Sequence, residues 1–253
     1  VITLKSNREL RFLRKAGQIV AKVLEELRKV IIADSKITTR ELDRLAESLI
    51  LKQGAKPAFK GYRGFPSSLC TSINEQVVHG IPGSYRVQPG DIISLDLGAK
   101  FNGYYGDAAI TVAVGEVSGE INRLLKVTEE ALYEGIKQAR AGNKVSDISY
   151  AIQSYVEKNG FSVVRDLVGH GIGKSLHEEP AVHNFGKPHQ GPQLKKGMTL
   201  AIEPMVNMKS FKVKVAKDNW TVVTADGEPS AHFEHTIAIT ENEAEILTLV
   251  EKE

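Results

Sequence analysis

The 253-residue sequence has a single cysteine, no long apolar run and little net charge. Cys70 alone cannot form an internal disulfide, which is typical of proteins in a reducing cytosol. No run reaches the about 18 apolar residues of a membrane span, and the charged N-terminal stretch has no apolar targeting core. We therefore expect a cytoplasmic protein without a membrane anchor. A net charge of +2 gives no reason to expect a sequence-specific nucleic-acid partner.

What is present is typical of a globular chain with an ample core. Hydrophobic residues make up 42% and charged residues 25% of the sequence, as in ordinary soluble domains. The length fits either one large α/β domain or two fused units of half that size.

Amphipathic helix patterns occur in two pairs along the chain. The first pair consists of a helix from about Asn7 to Val30 and a second that ends at Gly54, each preceded by a Ser or Thr three residues before a Glu, the spacing of a capping box. The second pair ends near Gly142 and Gly160, residues that favour helix termination.

Strand-like segments also recur, which indicates an internal duplication. "GDIISLD" from Gly90 lines up with "GMTLAIE" from Gly197, 107 positions later, and "DAAITV" from Asp107 with "EHTIAI" from Glu234, 127 positions later. Chance similarity of apolar strands is the alternative, but acids match acids in the same order. We expect one domain over 1–253 with pseudo-repeats at about 1–117 and 118–253, the extra residues forming a hairpin near 208–230.

Two aspartates interrupt the apolar strands before and after Asn102-Gly103. An Asn-Gly pair predicts a two-residue hairpin turn, which places Asp107 opposite position 98 and Asp96 diagonally across on the same face. Burying a lone carboxylate costs several kcal/mol, and two neighbouring carboxylates repel unless one is protonated or a cation lies between them. A solvated edge hairpin is the alternative, but "IISLDL" and "AAITVAV" are too apolar to favour it.

The second half supplies two further acids and a histidine. Glu203 in "LAIEPMV" and Glu234 in "HFEHTIAI" again lie in apolar strands, and the glycines around His170 in "VGHGIG" leave room for a ligand near the backbone. His170 alone could be an ordinary loop histidine. Four carboxylates with one imidazole, however, suit two divalent ions that share bridging carboxylates, with cobalt, manganese, iron or zinc all acceptable.

These residues, in this order and in the motifs "LDLGAKFNGYYGDAA", "GHGIG", "AIEPMV" and "HFEHTIAIT", resemble the dinuclear site of the methionine aminopeptidases. The resemblance covers essentially the whole chain. The short segment between His170 and Glu203 is similar to that of the bacterial type I enzymes. The fold that the resemblance implies is α/β (α+β), a duplicated pseudo-two-fold pita-bread fold with an antiparallel sheet covered by helices and a metal site between the halves.

The resemblance also implies a role for each site residue. The implied metal ligands are Asp96, Asp107, His170, Glu203 and Glu234. Asp107 and Glu234 would bridge two ions, and a hydroxide between the ions would attack the carbonyl after the first residue of a peptide. Glu203 would move the proton toward the leaving amine. His177 in "GKSLHEEP" would contact the carbonyl oxygen and His79 in "NEQVVHGIP" the peptide nitrogen, although either could instead be structural.

A methionine pocket is implied by six further positions. These are Phe59, Tyr62, Phe65, Cys70, Leu176 and Trp220. An apolar, closed pocket suits an unbranched thioether. Leu176 stands where a phenylalanine is common and Phe65 where a tyrosine is common, so the shape of the pocket differs from the usual pattern. Cys70 could alternatively be a buried inert thiol.

The implied substrates are N-terminal methionines of peptides and nascent chains, with a small second residue preferred. The family trims nascent chains, so the predicted hairpin could contact ribosomal RNA through Lys209, Lys212, Lys214 and Lys217. The alternative is a solvated edge strand protected by lysine. We expect a monomer.

Two other functions remain open at this point. A prolidase or proline-specific aminopeptidase uses a similar ligand set but usually carries an additional N-terminal domain, which this sequence lacks. A non-catalytic pita-bread module that binds peptides would typically have lost metal ligands. The remaining histidines are expected to be surface residues, structural residues or neighbours of the metal ligands: His183, His189, His232 and His235.

Overall fold

The computed structural model describes residues 1–33 and 36–250. The helices are α1 (Asn7–Ala33), α2 (Thr39–Lys52), α3 (Gly119–Gln138) and α4 (Val145–Lys158). The strands are β1 (Lys56–Pro57), β2 (Leu69–Ile73), β3 (Gln76–Val78), β4 (Ile92–Phe101), β5 (Tyr104–Ala113), β6 (Ser162–Val163), β7 (Val168–Gly171), β8 (Glu178–His183), β9 (Thr199–Ile202), β10 (Met205–Asn207), β11 (Val213–Val215), β12 (Val222–Thr224), β13 (Ser230–His232), β14 (Glu234–Ala238) and β15 (Glu245–Ile246). A short 3₁₀ turn covers Tyr62–Gly64.

The two helix pairs occur where the sequence predicts them. The capping box at α2 is present: the Thr38 N–H donates to the Glu41 carboxylate over 2.8 Å, and the Glu41 N–H donates to the Thr38 hydroxyl over 3.2 Å. α1 continues three residues past its predicted end at Val30. None of the described helices is both long and apolar enough to cross a membrane.

A nine-stranded antiparallel sheet organises the chain. Its strands run in the order β1-β4-β5-β14-β9-β7-β8, with β2 on β4 and β15 on β14. Two three-stranded sheets, β13-β10-β6 and β11-β12-β3, complete the strand structure. Within the segment 208–230, β11 and β12 pair as antiparallel strands, and β12 also pairs with β3.

The β4–β5 hairpin has the predicted register. Asn102 (φ 48°) and Gly103 (φ 88°) both adopt the left-handed conformation that a tight two-residue turn requires. Gly98 lies directly opposite Asp107. Both aspartates consequently share one face of the sheet, as expected from the two-residue alternation of strands.

The opposite face of β4 is covered by helices. Ile93, Leu95, Leu97 and Ala99 are fully buried in a core beneath α1 and α2. Asp96 alternates with these residues, so its side chain lies on the face away from the helices. A second large core lies beneath α3 and α4, and Asp96 and Asp107 lie on the face of the β4–β5 hairpin away from α1 and α2.

The second hairpin, β9–β14, has the same hydrogen bond at the open end of its strands as the first hairpin, β4–β5. The Gly90 N–H donates to the Val114 carbonyl over 2.8 Å, and the Gly197 N–H donates to the Ile239 carbonyl over 3.0 Å. The first strands of the two hairpins, β4 and β9, thus correspond at an offset of 107 residues, and the second strands, β5 and β14, correspond at an offset of 125 residues. The 127-residue alignment of acid with acid is wrong by two positions, because hydrogen-bond register rather than residue likeness fixes the correspondence.

The corrected register makes His232 the counterpart of Asp107. The Thr236 hydroxyl accepts the N–H of Asp107 and donates to its carbonyl. The Thr111 hydroxyl makes the same two bonds, at 2.9 and 2.7 Å, to His232. Each hairpin therefore holds one residue of the other in the same way.

Candidate metal centre

All residues that the sequence predicts for the site line one cavity of about 170 Å³. The lining consists of Phe59, Tyr62, Arg63, Phe65, Cys70, His79, Asp96, Asp107, His170, Leu176, His177, Glu203, Trp220 and Glu234. Acids from both hairpins thus share one cavity with three histidines and an apolar cluster.

Three of the predicted ligands form a compact group. Asp107 on β5, His170 on β7 and Glu234 on β14 each offer one ligand atom, and these atoms lie within 4.8 Å of one another. Asp96 on β4 and Glu203, which follows β9, line the same cavity. The pairing of β5 with β14 brings acids distant in sequence onto adjacent strands.

Three of the acids each have one oxygen that lacks the hydrogen bond a buried carboxylate normally makes. Buried oxygen atoms of Asp96, Asp107 and Glu234 have no hydrogen-bond partner among the described residues. An unpaired buried carboxylate is strongly unfavourable. Hard oxygen donors together with one imidazole are a ligand set that suits a divalent first-row metal, so the residues present fit such an ion.

Burial and mutual repulsion make these acids hold their protons when no cation is bound. Burial raises the pKa of Asp107 to about 7. Burial, followed by the negative charge of Asp107, raises the pKa values of Asp96 and Glu234 well above their usual range. A divalent cation would offset this repulsion and favour the ionised carboxylates.

His170 presents a neutral ring nitrogen to the acids. Its Nδ1 lies 2.9 Å from the Gly171 carbonyl oxygen, which can only accept, so Nδ1 carries the proton and Nε2 has a free lone pair. Nε2 lies 3.5 Å from an oxygen of Glu203. Burial lowers the pKa of His170 to about 4, and the ring is neutral at pH 7, as a metal ligand must be.

The glycines around His170 admit neighbouring strands rather than a ligand. A Cβ atom on Gly169 would lie 2.4 Å from the Ala201 carbonyl oxygen, and one on Gly171 would lie 2.2 Å from the Glu179 carbonyl oxygen. The expectation that these glycines leave room for a ligand is therefore wrong. They let β7 approach β9 and β8 closely and so place His170.

The two remaining histidines of the cavity lie on loops. His79 follows β3 with φ 59°, a conformation that non-glycine residues adopt at some cost. His177 stacks on Tyr62 with ring centroids 5.2 Å apart, and the Tyr62 hydroxyl lies 2.8 Å from its Nδ1. The His177 ring lies 4.2 Å from the His170 ring, so the Tyr62–His177 pair adjoins the acids.

The predicted pocket residues form a small apolar cluster beside the acids. Phe65 and Trp220 meet edge to face at 5.2 Å. Gly98 leaves room for Phe59, whose ring lies 2.7 Å from where a Cβ would be. Cys70 lies opposite Asp96 on the neighbouring strand, and burial raises the pKa of its thiol well above the usual value, which does not favour a nucleophile.

Two residues near the cavity were not predicted to have a role. Arg63 lies in "GYRGF" with its guanidinium 5.5 Å from the centre of the Tyr62 ring; an arginine between two glycines in an aromatic loop is the only sequence signal for it. His232 is 1% exposed, neither ring nitrogen has a hydrogen-bond partner in the described chain, and Nε2 lies 3.9 Å from Glu203. Burial lowers the pKa of His232 to about 3.

The other histidines make ordinary structural contacts. Nδ1 of His235 lies 2.9 Å from the Thr248 hydroxyl. Nδ1 of His189 lies 3.1 Å from Asp147. His183 is exposed and meets Phe185 edge to face.

Residues 11–241 match the metallopeptidase family M24. The chain is 57% identical to methionine aminopeptidase 1 of Bacillus subtilis over 250 residues, which cover 99% of this chain and 100% of that protein. It is 55% identical to the methionine aminopeptidase of Clostridium perfringens, with 99% of this chain and all of that protein covered.

Solved structures extend the likeness to the fold. The methionine aminopeptidase of Thermotoga maritima superimposes with a TM-score of 0.96 at 48% identity, covering 98% of this chain and 100% of that one. The prolidase of Pyrococcus furiosus superimposes with a TM-score of 0.80 at 24% identity, covering 98% of this chain and 66% of that one, and shares the fold alone. The predicted pita-bread fold is confirmed. The chain belongs to the metallopeptidase family M24 and, within it, to the bacterial-type methionine aminopeptidases.

Proposed function

We propose that this chain removes the N-terminal methionine from nascent proteins and peptides in a metal-dependent reaction, with a preference for a small second residue. The observation that carries the proposal is that one cavity of about 170 Å³ joins buried acids that have unpaired oxygens with an apolar cluster. A metal site next to a pocket for one unbranched side chain is what a methionine-specific exopeptidase requires.

Two divalent ions, of cobalt, manganese, iron or zinc, would be held by the five predicted ligands. These are Asp96, Asp107, His170, Glu203 and Glu234. Bound ions of this kind lower the pKa of water and polarise a carbonyl oxygen. Four carboxylates are more than one ion needs, and Asp107 and Glu234, which lie on adjacent strands, would both contribute to holding the ions.

Glu203 would act as the proton carrier. One of its oxygens faces His170 and the other faces His232. Burial, followed by the charges of Asp96 and Asp107, raises the pKa of Glu203 well above its usual value. A carboxylate that readily holds a proton can take it from the attacking water and pass it to the leaving amine.

His177 and His79 would orient the peptide. When the Tyr62 hydroxyl donates to Nδ1 of His177, Nε2–H of His177 is free to donate to the carbonyl oxygen, whose negative charge grows in the transition state. Desolvation, Arg63 and His79 lower the pKa of His177, so the ring is a neutral donor. His79 would contact the peptide nitrogen at the scissile bond.

The apolar cluster would select methionine. Phe59, Phe65 and Trp220 surround the space with aromatic rings, and Leu176 closes it with a shorter side chain. A thioether gains from contact with ring edges. Leu176 leaves more room than a phenylalanine would, so we expect slightly longer unbranched side chains to be accepted as well.

The proposal is tested by hydrolysis of Met-Ala-Ser and of an Ala-Pro peptide, with added divalent metal and with chelator. We expect release of methionine from Met-Ala-Ser only when metal is present, and no cleavage of Ala-Pro. Cleavage of Ala-Pro alone would assign the chain to the proline-specific enzymes. Absence of methionine release with every metal tried would favour a non-catalytic binding module.

A contact with ribosomal RNA phosphates would place the enzyme near nascent chains in the cytoplasm. Lys212, Lys214 and Lys217 are exposed on the β11–β12 hairpin, whereas Lys209 is ion-paired with Glu228. We expect charge reversal at the three exposed lysines to abolish co-sedimentation with ribosomes at low salt, and reversal at Lys209 to have a smaller effect. Binding unchanged by the triple reversal would refute the contact.

We further propose that the chain works as a monomer, because one chain supplies every predicted ligand and substrate-binding residue of the cavity. Size-exclusion chromatography with light scattering at working concentration should give the 27.7 kDa of one chain. A stable dimer mass would contradict this.

A further inference from the structure

The N-terminal segment 1–6 passes beside the loop that carries His177. The Lys5 N–H donates to the Gly197 carbonyl over 2.7 Å, which fixes the segment against the turn before β9. The Lys5 side chain is only 5% exposed. A lysine so far removed from water is rare unless it is paired.

Two glycines make the space that Lys5 occupies. A Cβ atom on Gly173 would lie 2.6 Å from Cε of Lys5, and a Cβ on Gly197 would lie 3.0 Å from the Lys5 carbonyl oxygen. Lys5 is thus enclosed from the side of the His177 loop and from the side of the β9 turn. Any side chain at Gly173 would displace Lys5 or the loop.

Lys5 is paired with the residue that follows His177. Its Nζ lies 2.6 Å from Oε2 of Glu178, whose side chain is 16% exposed. Thr3 joins the pair: its hydroxyl donates to the same Glu178 oxygen over 3.0 Å and accepts from Lys5 Nζ over 2.6 Å. Breaking a pair as buried as this leaves an uncompensated charge.

Glu178 also organises the His177 loop itself. Its other oxygen accepts the Ser175 N–H over 3.1 Å, which ties together the turn that contains Leu176 and His177. At the start of the turn the Gly173 carbonyl accepts the Tyr105 N–H over 2.9 Å. The loop joins β7 to β8, which pair at Gly171 and Glu178, and β5 and Lys5 hold it through these additional contacts.

We propose that Lys5 is a positioning residue of the active site: its buried ion pair with Glu178 holds the 173–178 loop so that His177 stays between Tyr62 and His170. This inference rests on the proposed function, in which His177 donates to the substrate carbonyl. Loss of the pair would remove the contact between the loop and the N-terminal segment and displace the His177 donor, while the metal ligands on β4, β5, β7 and β14 would keep their places.

The first test is Lys5→Met, which keeps the length of the side chain and removes the charge. We expect kcat for Met-Ala-Ser to fall at least tenfold, with the dissociation constant for metal, measured by calorimetry, within about twofold of the unaltered chain. Lys196→Met is the matched control, because Lys196 pairs with Glu241 at the surface next to Gly197; its kcat should not change. Unchanged kcat in Lys5→Met, or loss of metal affinity, would overturn the inference.

The second test separates positioning from general stabilisation. In a His177→Ala background, Lys5→Met should lower the residual kcat no further, because the group that it positions is gone. A further decrease by the same factor as in the unaltered chain would show that Lys5 acts by another route and would overturn the inference. If Lys5→Met does not fold, Glu178→Gln, which keeps the shape of the partner, takes its place in both tests.

A readout independent of turnover is the NMR signal of the His177 ring. It should shift in Lys5→Met, while the ring signal of His189 should not. Failure of the unaltered chain to release methionine would refute the proposed function, but the ring signal would still test the positioning. An unshifted His177 signal with intact turnover would refute the positioning alone.

Discussion

The hydroxyl of Thr236 accepts a hydrogen bond from the N–H of Asp107 over 3.0 Å and donates one to the Asp107 carbonyl over 2.7 Å. Thr236 belongs to β14 and Asp107 to β5, so a residue of one hairpin fixes the backbone of a predicted metal ligand in the other. Both bonds are buried. The position of Asp107 therefore depends on the two halves being joined.

Replacing Thr236 with valine should weaken both the fold and the metal site. The change leaves a buried N–H and carbonyl without partners, which costs about 1–3 kcal/mol and lowers the melting temperature by about 2–4 °C per kcal/mol in a chain of this size. Calorimetry should also show weaker metal binding. Thr111→Val is the matched control: it should lose similar stability but retain metal affinity, because Thr111 holds His232. Equal metal affinity in Thr236→Val, in Thr111→Val and in the unaltered chain would contradict the role of Thr236 in positioning Asp107.

The metal-free protein should lose stability as the pH rises. Burial raises the folded-state pKa of Asp107 to about 7. It also raises the folded-state pKa values of the other three acids, Asp96, Glu203 and Glu234. The protonated acids stabilise the fold fully when the pH is below their pKa values in the unfolded chain, which are about 4. This stabilisation is lost as the pH rises through the folded-state values of about 7 and above. The melting temperature in chelator should fall between pH 5 and 8.

Added divalent metal should reverse this dependence, because the ions bind the ionised carboxylates and release protons. In saturating metal the melting temperature should be higher at pH 8 than in chelator at the same pH. A melting temperature in chelator that rises from pH 5 to pH 8 would show that the acids are ionised and paired in some other way.

Removal of the Trp220 ring should impair recognition of methionine without affecting the metal site. Trp220 and Phe65 meet edge to face, and such pairs contribute about 0.5–1.5 kcal/mol beyond their buried area. We expect Trp220→Ala to raise KM for Met-Ala-Ser about tenfold with a small change in kcat. Tyr150→Ala, at an exposed tyrosine of α4, should change neither constant. An unaltered KM in Trp220→Ala would show that Trp220 does not contribute to methionine binding.

Local signals in the sequence were sufficient for the helices and for one half of the site. The Asn102-Gly103 turn fixed the β4–β5 register, and alternation along β4 then placed Asp96 and Asp107 on one face. These features depend on residues near one another in the chain, where backbone geometry leaves few choices.

Contacts between distant segments could not be predicted in this way. The 127-residue alignment matched acid with acid, whereas the strand register makes His232 the counterpart of Asp107 in the second hairpin. Nothing near Lys5 in the sequence indicates that its partner is Glu178, or that Gly173 serves to make room for it. Such relationships arise only when the two halves and the N-terminal segment pack together.

The most direct test of the account is release of methionine from Met-Ala-Ser during titration of chelator-treated protein with divalent metal, for the unaltered chain and for Asp107→Asn in parallel. Asparagine keeps the size of the side chain and removes the charge that binds the ions. We predict that the unaltered chain gains activity from zero as metal is added, whereas Asp107→Asn stays inactive and binds metal more weakly. Full activity of Asp107→Asn, or activity of the unaltered chain in chelator, would contradict the account.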